Sequence, residues 1–155
     1  MPVIDQSKLP VKTGSTYPGG YAATIGARSQ IALGDPAGLT QFGVNLVRLA
    51  PGAMSSLRHW HENQDEFLMV TRGICTLVDD KGETDMKPGD CAAFPAGDAN
   101  GHNIVNETET EAEFLVVGTR TATEVAHYSD VDMKVQVADG TYDFTRRDGS
   151  PIEER

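Results

Sequence analysis

Two histidines one residue apart, followed by a carboxylate, are the residues of this chain best suited to chemistry. If the segment is a strand, His59 and His61 point to one side and Trp60 to the other, because successive side chains of a strand alternate between its faces. Neutral imidazole nitrogen is a ligand for Zn, Fe, Mn or Ni, and Glu66 would add a hard oxygen ligand and a negative charge. The stretch indicates a metal site, although the two histidines alone fit equally well as exposed residues at a strand end.

A third histidine follows a turn later in the chain and favours the metal interpretation. Residues 89–97 have the composition of a strand that ends in a Pro-Ala-Gly turn, and His102 begins the next strand. His102 could close a site of three histidines and one glutamate. Asn106 is expected to hold this turn through its amide. Asp98 and Asn100 would either orient a ligand histidine or satisfy backbone groups, as Asx residues in turns usually do.

The elements that must position these residues are short strands. From residue 42 to residue 119, apolar runs alternate with turns that contain Gly or Pro, at the spacing of about eight to twelve residues that is typical of an all-β sandwich or barrel. Glu66, Leu68 and Val70 alternate in one run, so all three are expected to face the interior, where a metal would make the carboxylate tolerable. The predicted strands are 42–49, 57–61, 66–71, 74–78, 83–86, 91–94, 102–105 and 113–119.

A single domain over residues 1–155 is predicted, with its barrel core at 42–119. Residues 1–41 are rich in turn-forming Pro and Gly and are predicted to form an N-terminal arm with short strands at 21–27 and 30–33. Such an arm would be unstable alone, so it is expected to pack on the barrel or on a second subunit.

Residues 120–155 are predicted to form a C-terminal extension that contains a hairpin. Residues 133–137 and 141–144 alternate in polarity on either side of Asp139-Gly140, a favoured tight-turn pair. The hairpin is expected to extend a sheet of the barrel. His127 lies before it, in a segment interpreted as an exposed linker.

Composition narrows the classes of partner. The chain has 13 Lys and Arg against 23 Asp and Glu, a formal net charge of -10 at pH 7, so neither nucleic acid nor an anionic membrane surface is an expected partner. It has no run of about twenty apolar residues and no basic-then-apolar N-terminal pattern, which makes a cytoplasmic location the expected one. Cys75 and Cys91 lie in strand-like runs and are expected to be reduced, buried residues.

The first histidine stretch resembles the first motif of the cupin superfamily. That motif runs Gly, five residues, His-x-His, three or four residues, Glu, six residues, Gly. Here six residues separate Gly52 from His59-Trp60-His61, four precede Glu66, and six more precede Gly73. The match is close, with one extra residue before the histidines.

The later segment resembles the second cupin motif, which runs Gly, five residues, Pro-x-Gly, two residues, His, three residues, Asn. The corresponding residues are Gly89, Pro95-Ala96-Gly97, His102 and Asn106, with four residues rather than two before the histidine. The combination of Arg-His-Trp-His, Asp-Glu-Phe and Asn-Gly-His resembles small bacterial single-domain cupins in which the longer turn is normal. Some of these are provisionally named sugar-phosphate isomerases.

The resemblance implies an all-β fold, the cupin double-stranded β-helix or jelly-roll barrel, to which the N-terminal arm and the C-terminal hairpin are added. It also implies that one divalent metal ion per chain, Zn, Fe, Mn or Ni, is bound by His59, His61, Glu66 and His102. Four protein ligands would leave one or two positions open on a metal that accepts five or six, as in catalytic rather than structural sites.

Three functions are compatible with such a site, because fold does not fix function. The first is a metal-dependent isomerase of a small sugar-phosphate-like or carboxylate-like substrate. The second is an iron-dependent dioxygenase, and the third is a small-molecule binding or sensor protein without turnover. A homodimer is also expected, because a barrel flanked by an arm and a hairpin has open sheet edges that need covering.

Overall fold

Short strands make up most of the structure. The computed structural model describes residues 2–153, which contain thirteen strands and three short 3₁₀ helices. The helices are Gln6–Lys8, Tyr21–Thr24 and Asp35–Ala37, and none of these has the length or hydropathy needed to cross a membrane. The strands are β1 Val11–Thr13, β2 Arg28–Ala32, β3 Phe42–Leu49, β4 His59–His61, β5 Glu66–Arg72, β6 Cys75–Asp79, β7 Gly82–Met86, β8 Cys91–Phe94, β9 Asn103–Val105, β10 Ala112–Thr119, β11 Thr123–Tyr128, β12 Lys134–Ala138 and β13 Thr141–Thr145.

The strands form three antiparallel sheets, so the all-β prediction is confirmed. The largest sheet has the order β1-β2-β3-β10-β5-β8, the second β13-β12-β11-β4 and the third β7-β6-β9. Strands far apart in the chain, such as β3 and β10, pair over eight residues each. Single bridges from His59 to His102 and from Met54 to Val105 connect the remaining segments.

One apolar core joins the largest sheet to the third. Alternation along β3 and β5 places Val47, Leu49, Leu68 and Val70 on the same buried face. Burying a side chain of this size contributes roughly 1.5–3 kcal/mol relative to leaving it exposed. The residues packed with them from the other strands and loops are Ala53, Cys75, Met86, Ile104, Ala112 and Phe114.

A second, smaller core covers the inner face of β11 and β12. Tyr128 and Val135 are buried there, together with Met133 between the two strands. Tyr17 packs edge-on against Tyr128 and Phe144, with ring centroids 5.5 and 5.9 Å apart. The N-terminal arm therefore packs on the C-terminal sheet of the same chain, one of the two placements expected for it.

The predicted C-terminal hairpin is present as β12 and β13. Asp139 and Gly140 have φ angles of 51° and 76°, as a two-residue turn requires when both central residues are left-handed. β12 also pairs with β11, so the hairpin extends the second sheet as expected.

The N-terminal arm differs from prediction in its secondary structure. The strand predicted at 21–27 is wrong: Tyr21–Thr24 is a 3₁₀ helix, in which the Ile25 N–H donates to the Ala22 carbonyl oxygen at 3.3 Å. The local hydrogen bond replaces the cross-strand partner that a strand would need. The strand predicted at 30–33 is present but begins earlier, as β2.

Two further predictions are wrong for reasons of sheet position. The segment around His127 is strand β11 rather than a linker, because it pairs with β4 on one side and β12 on the other. Cys75 is buried as expected, but Cys91 is exposed, since its strand β8 lies at the edge of the largest sheet.

Candidate metal centre

Alternation along β4 places its two histidines on the inner face of the second sheet. β4 pairs with β11 so that His59 lies opposite Tyr128, which is buried, and His61 follows on the same face. Trp60 points to the other face, where its ring stacks on that of His127 with centroids 4.5 Å apart. The orientation predicted for these three β4 residues is confirmed.

Glu66 begins β5 and brings a carboxylate to the two histidines. The ligand atoms of His59, His61 and Glu66 all lie within 4.8 Å of one another. The two imidazole rings are nearly perpendicular, with centroids 4.9 Å apart, and Glu66 Oε2 lies 3.5 Å from His61 Nε2. Two nitrogens and one oxygen at this spacing could hold a metal ion.

His102 reaches the same place from the turn before β9. The backbone N–H groups of His59 and His102 each donate to the other's carbonyl oxygen, at 3.1 and 3.0 Å, which fixes the two residues side by side. The His102 ring stacks on Phe94, and its Nε2 lies 2.8 Å from Glu66 Oε1. All four residues predicted as ligands therefore meet in one cluster, which we call the donor cluster.

The protonation state of His59 suits metal binding. Its Nδ1 donates to the carbonyl oxygen of Leu57 at 2.8 Å, so Nε2 carries the lone pair of the neutral ring. Burial lowers the pKa of His59 to about 4, and the negative charge of Glu66 offsets only part of that shift. The ring is neutral at pH 7, which is the form that binds metal ions.

Glu66 supplies the negative charge of the donor cluster. Burial alone would raise the pKa of its carboxyl, but the His102 and His61 rings beside it hold that pKa below its usual range. The Nδ1 atoms of His61 and His102 are buried and have no hydrogen-bond partner within residues 2–153. Imidazole nitrogens beside an ionised carboxylate are a donor set that fits a divalent transition metal.

A second buried carboxylate, Glu124 of β11, lies beside the donor cluster and was missed by sequence reasoning. Its carboxylate accepts hydrogen bonds from the N–H groups of Asn63 at 3.0 Å and Val125 at 2.7 Å. Glu124 Oε2 also lies 3.7 Å from His61 Nδ1. At this distance the two groups are not hydrogen-bonded, and Glu124 places a negative charge beside the imidazole. The available signal was the alternation of Glu124, Ala126 and Tyr128, all of which are buried.

The turn that carries His102 is held by Arg58, the residue before β4. Arg58 Nη1 donates to the Gly101 carbonyl oxygen at 2.9 Å, and its Nε donates to Asp130 Oδ2 at the same distance. A Cβ at Gly101 would lie 1.8 Å from Ser129 Oγ, so any other residue here would force the Ser129 side chain to move. One arginine therefore ties the turn before His102 to the start of β4.

The Asx residues near His102 stabilise loops rather than the histidine ring. Asn100 Oδ1 accepts from the Asp80 N–H at 2.8 Å, and Asp98 Oδ1 accepts from the Asn100 N–H at 3.1 Å. Asn106 is fully buried and its amide donates to two backbone carbonyl oxygens, each at 2.8 Å. A structural role for Asn106 is confirmed, but its amide joins Leu49 to Thr110 and does not hold the turn before His102. Of the two alternatives for Asp98 and Asn100 the backbone one is confirmed.

Two cavities are lined by both histidines of β4. The larger has a volume of about 740 Å³ and extends from β4 to the N-terminal arm and the C-terminal hairpin. The smaller, of about 240 Å³, lies between the cluster and the apolar core. A small molecule bound in either cavity could therefore contact the two histidines. The residues that line both cavities are Arg28, Ser55, Ser56, His59 and His61.

Comparison with known proteins identifies the family. A sequence profile described as "Cupin domain" matches residues 45–118, which contain both histidine stretches. The crystal structure of a sugar phosphate isomerase from a cupin superfamily, from Silicibacter pomeroyi DSS-3, is 59% identical with a TM-score of 0.95, and the match covers 97% of this chain and 96% of that one. The chain belongs to the cupin superfamily.

More distant cupins share the fold. A protein from Acidithiobacillus ferrooxidans ATCC 23270, provisionally named a sugar phosphate isomerase, is 26% identical with a TM-score of 0.74 over 83% of this chain and 82% of that one. A predicted oxalate decarboxylase from Thermotoga maritima is 22% identical, with a TM-score of 0.63 over 77% of this chain and 99% of that one, and shows the fold alone. No curated protein sequence matches the chain.

Proposed function

We propose that this cupin is a metal-dependent enzyme that isomerises a small polar substrate, of the sugar-phosphate or carboxylate kind. The observation that carries the proposal is the donor cluster itself, in which three histidines and one glutamate meet at the wall of a cavity. The similarity to the Silicibacter pomeroyi protein, which is named a sugar phosphate isomerase, supports this substrate class and reaction.

In this proposal His59, His61, Glu66 and His102 hold one divalent ion, Zn, Fe, Mn or Ni. The neutral ring of His59 and the ionised carboxylate of Glu66 are already in the forms that metal binding requires. A bound ion of this kind would act as a Lewis acid that polarises a substrate carbonyl or hydroxyl oxygen.

The chain's own hydroxyl groups would bind and orient a polyhydroxylated substrate. Ser55 and Ser56 line both cavities, and Ser56 Oγ lies 3.3 Å from His59 Nδ1. Tyr17 lines the larger cavity, and its hydroxyl oxygen accepts from the Leu57 N–H at 3.3 Å. Burial raises the pKa of Tyr17, so the hydroxyl keeps its proton at neutral pH and can donate it to a substrate oxygen.

The reaction can be tested by hydrogen exchange. The protein, loaded with each candidate metal in turn, is incubated with phosphorylated aldoses and ketoses in D₂O, and NMR follows both the loss of carbon-bound hydrogen and the appearance of the isomer. The proposal expects exchange and isomer formation in the wild type, neither in His59→Ala, and both in the control His127→Ala, which alters the outer face of the same sheet.

Other results of this experiment would assign the site differently. Consumption of oxygen by the iron-loaded protein, without exchange, would replace the isomerase with a dioxygenase. Tight binding of a substrate with neither exchange nor oxygen uptake would indicate a binding or sensor protein.

The proposal includes a homodimer. β1 is the edge of the largest sheet, and Val11 within it is exposed, as are the apolar residues Val3 and Ile4 before it. An exposed apolar edge favours pairing with a second copy of the chain. Light scattering on the eluate of a size-exclusion column should give twice the mass of the chain, and a mass equal to one chain would contradict the dimer.

A further inference from the structure

Arg28 is a cationic side chain on the inner face of the largest sheet. In the register of β2 and β3, Arg28 lies opposite Leu49 and Gln30 lies opposite Val47. Leu49 and Val47 are both in the apolar core, and residues directly opposite each other share a face of the sheet. Arg28 therefore projects toward the barrel interior, where arginine is rarely found unless it is paired.

No carboxylate pairs with this arginine within residues 2–153, although Arg48, Arg58, Arg72 and Arg120 each have one. Arg28 Nη2 donates to Gln30 Oε1 at 2.6 Å, and Gln30 Nε2 donates in turn to Asn45 Oδ1 at 3.1 Å. Arg28 Nε is buried and has no hydrogen-bond partner in the same residues.

A partly buried guanidinium without a carboxylate partner lowers the stability of the fold unless an anion binds to it. Burial lowers the pKa of Arg28, yet a guanidinium stays cationic at neutral pH. Its planar fork of N–H donors matches the oxygens of a phosphate or a carboxylate. The net charge of -10 would repel an anion from the chain as a whole, so local donors must supply the attraction.

The position of Arg28 connects this unpaired charge to the donor cluster. Arg28 lines both cavities, as His59 and His61 do, and Ser55 and Ser56 are shared in the same way. Lys12, from β1, lines the larger cavity as well and adds a second positive charge. The cavity space is therefore bounded by cationic groups in one part of its wall and by the donor cluster in another.

We propose that Arg28 binds the anionic group of the substrate, a phosphate or a carboxylate, while the donor cluster faces other oxygens of the same molecule. This inference rests on the proposed function for the identity of the ligand as substrate, but the anion site itself can be tested without turnover. It names the substrate class as an anionic polyhydroxylated compound and makes β2 a determinant of specificity.

The test uses inorganic phosphate and acetate as probes, titrated into the purified protein by calorimetry at constant ionic strength. Phosphate binding should weaken about tenfold or more in Arg28→Gln, because the amide cannot replace the charge-assisted hydrogen bonds of the guanidinium. The phosphate affinity of Arg28→Lys should be intermediate, since lysine keeps the positive charge but lacks the planar set of N–H donors. Arg146→Gln removes the same charge from an exposed position and should bind like the wild type. Whichever probe binds more tightly identifies the anion.

Three outcomes would overturn the inference. They are the absence of phosphate and acetate binding in the wild type, wild-type affinity in Arg28→Gln, and binding that is lost in His59→Ala but kept in Arg28→Gln. The last would assign the anion to a bound metal. If Arg28→Gln does not fold, as judged by its thermal transition, Arg28→Lys is the deciding variant. Reduced phosphate affinity in Arg28→Lys supports binding by the guanidinium, and unchanged affinity overturns the inference.

Metal content separates this inference from the proposed function. Elemental analysis should find the same metal in Arg28→Gln as in the wild type, because Arg28 is not a member of the donor cluster. A wild type that binds no metal but binds phosphate through Arg28 would refute the proposed function and leave the anion site intact.

Discussion

A histidine–glutamate contact lies on each face of the β4–β11 pair, but the two contacts have different environments. Against the inner face, His102 Nε2 from the turn before β9 lies 2.8 Å from Glu66 Oε1 of β5, and on the outer face His127 Nε2 lies 2.8 Å from Glu62 Oε1. The exposed fractions of the two histidine side chains are 4% and 32%. The inner pair has His59 beside it, whereas the outer pair has the ring of Trp60.

This difference shows that a histidine–glutamate contact does not by itself define a metal site. Within residues 2–153, the inner face holds the one group of three or more potential ligands whose donor atoms lie within 4.8 Å of one another. Its members come from β4 and β5, with His102 added from a third segment. Convergence and burial, rather than residue type, distinguish the two faces.

The largest expected effect comes from removing an inner-face histidine. His59→Ala and His102→Ala should each abolish stoichiometric metal binding, because each removes one nitrogen from a set of four donors. Elemental analysis of protein purified without added metal or chelator measures this directly, and thermal unfolding with and without metal gives a second readout. Wild-type metal content in both variants would place the metal elsewhere.

The next effect concerns the loop between β9 and β10, which Asn106 joins to the end of β3. Asn106→Ala should lower the free energy of unfolding by about 3 kcal/mol, because buried backbone carbonyls would lose the amide that now donates to them. Urea denaturation measures the change. Asn63→Ala, at an exposed position, is the control and should stay within about 0.5 kcal/mol of the wild type. A small effect at Asn106 would mean that water replaces the amide.

A smaller effect should come from the carboxylate behind His61. Glu124→Gln should weaken metal affinity by up to about tenfold, because it removes a buried negative charge near the donor cluster and keeps the shape of the side chain. That charge lies close to His61, whose Nδ1 is 3.7 Å from Glu124 Oε2. Competition with a chelating dye measures the affinity, and Glu62→Gln is the matched control on the outer face. Equal affinities in the two variants would exclude an electrostatic role for Glu124.

Much of the inner face could be predicted from sequence because its signals are local. The spacing of His59 and His61 fixes their common face once the segment is a strand, and the alternation of Glu66 with Leu68 and Val70 fixes which way the glutamate points. The Gly and Pro turns between residues 42 and 119 similarly indicate where strands end. Such information is contained in neighbouring residues.

The contributions of Glu124 and Arg28 could not be predicted because they depend on strand pairing. A carboxylate in Thr123–Tyr128 interrupts the apolar pattern that indicates a strand, so the sequence around His127 resembles an exposed linker. Arg28 faces the interior only because β2 pairs with β3 in one register, and a shift of one residue would turn it outward. Neither register is specified by residues close in sequence.

The smallest expected effect is that of removing His127 from the outer face. His127→Ala removes the stack on Trp60 and the contact with Glu62, so it should lower the free energy of unfolding by about 1 kcal/mol while metal content stays at the wild-type value. His127→Phe keeps an aromatic ring and should recover most of that loss. Urea denaturation measures the free energy of unfolding, and elemental analysis of the same samples measures the metal content. Loss of metal from His127→Ala would show that the two faces are coupled through β4, because that short strand carries both Trp60 and the inner-face histidines.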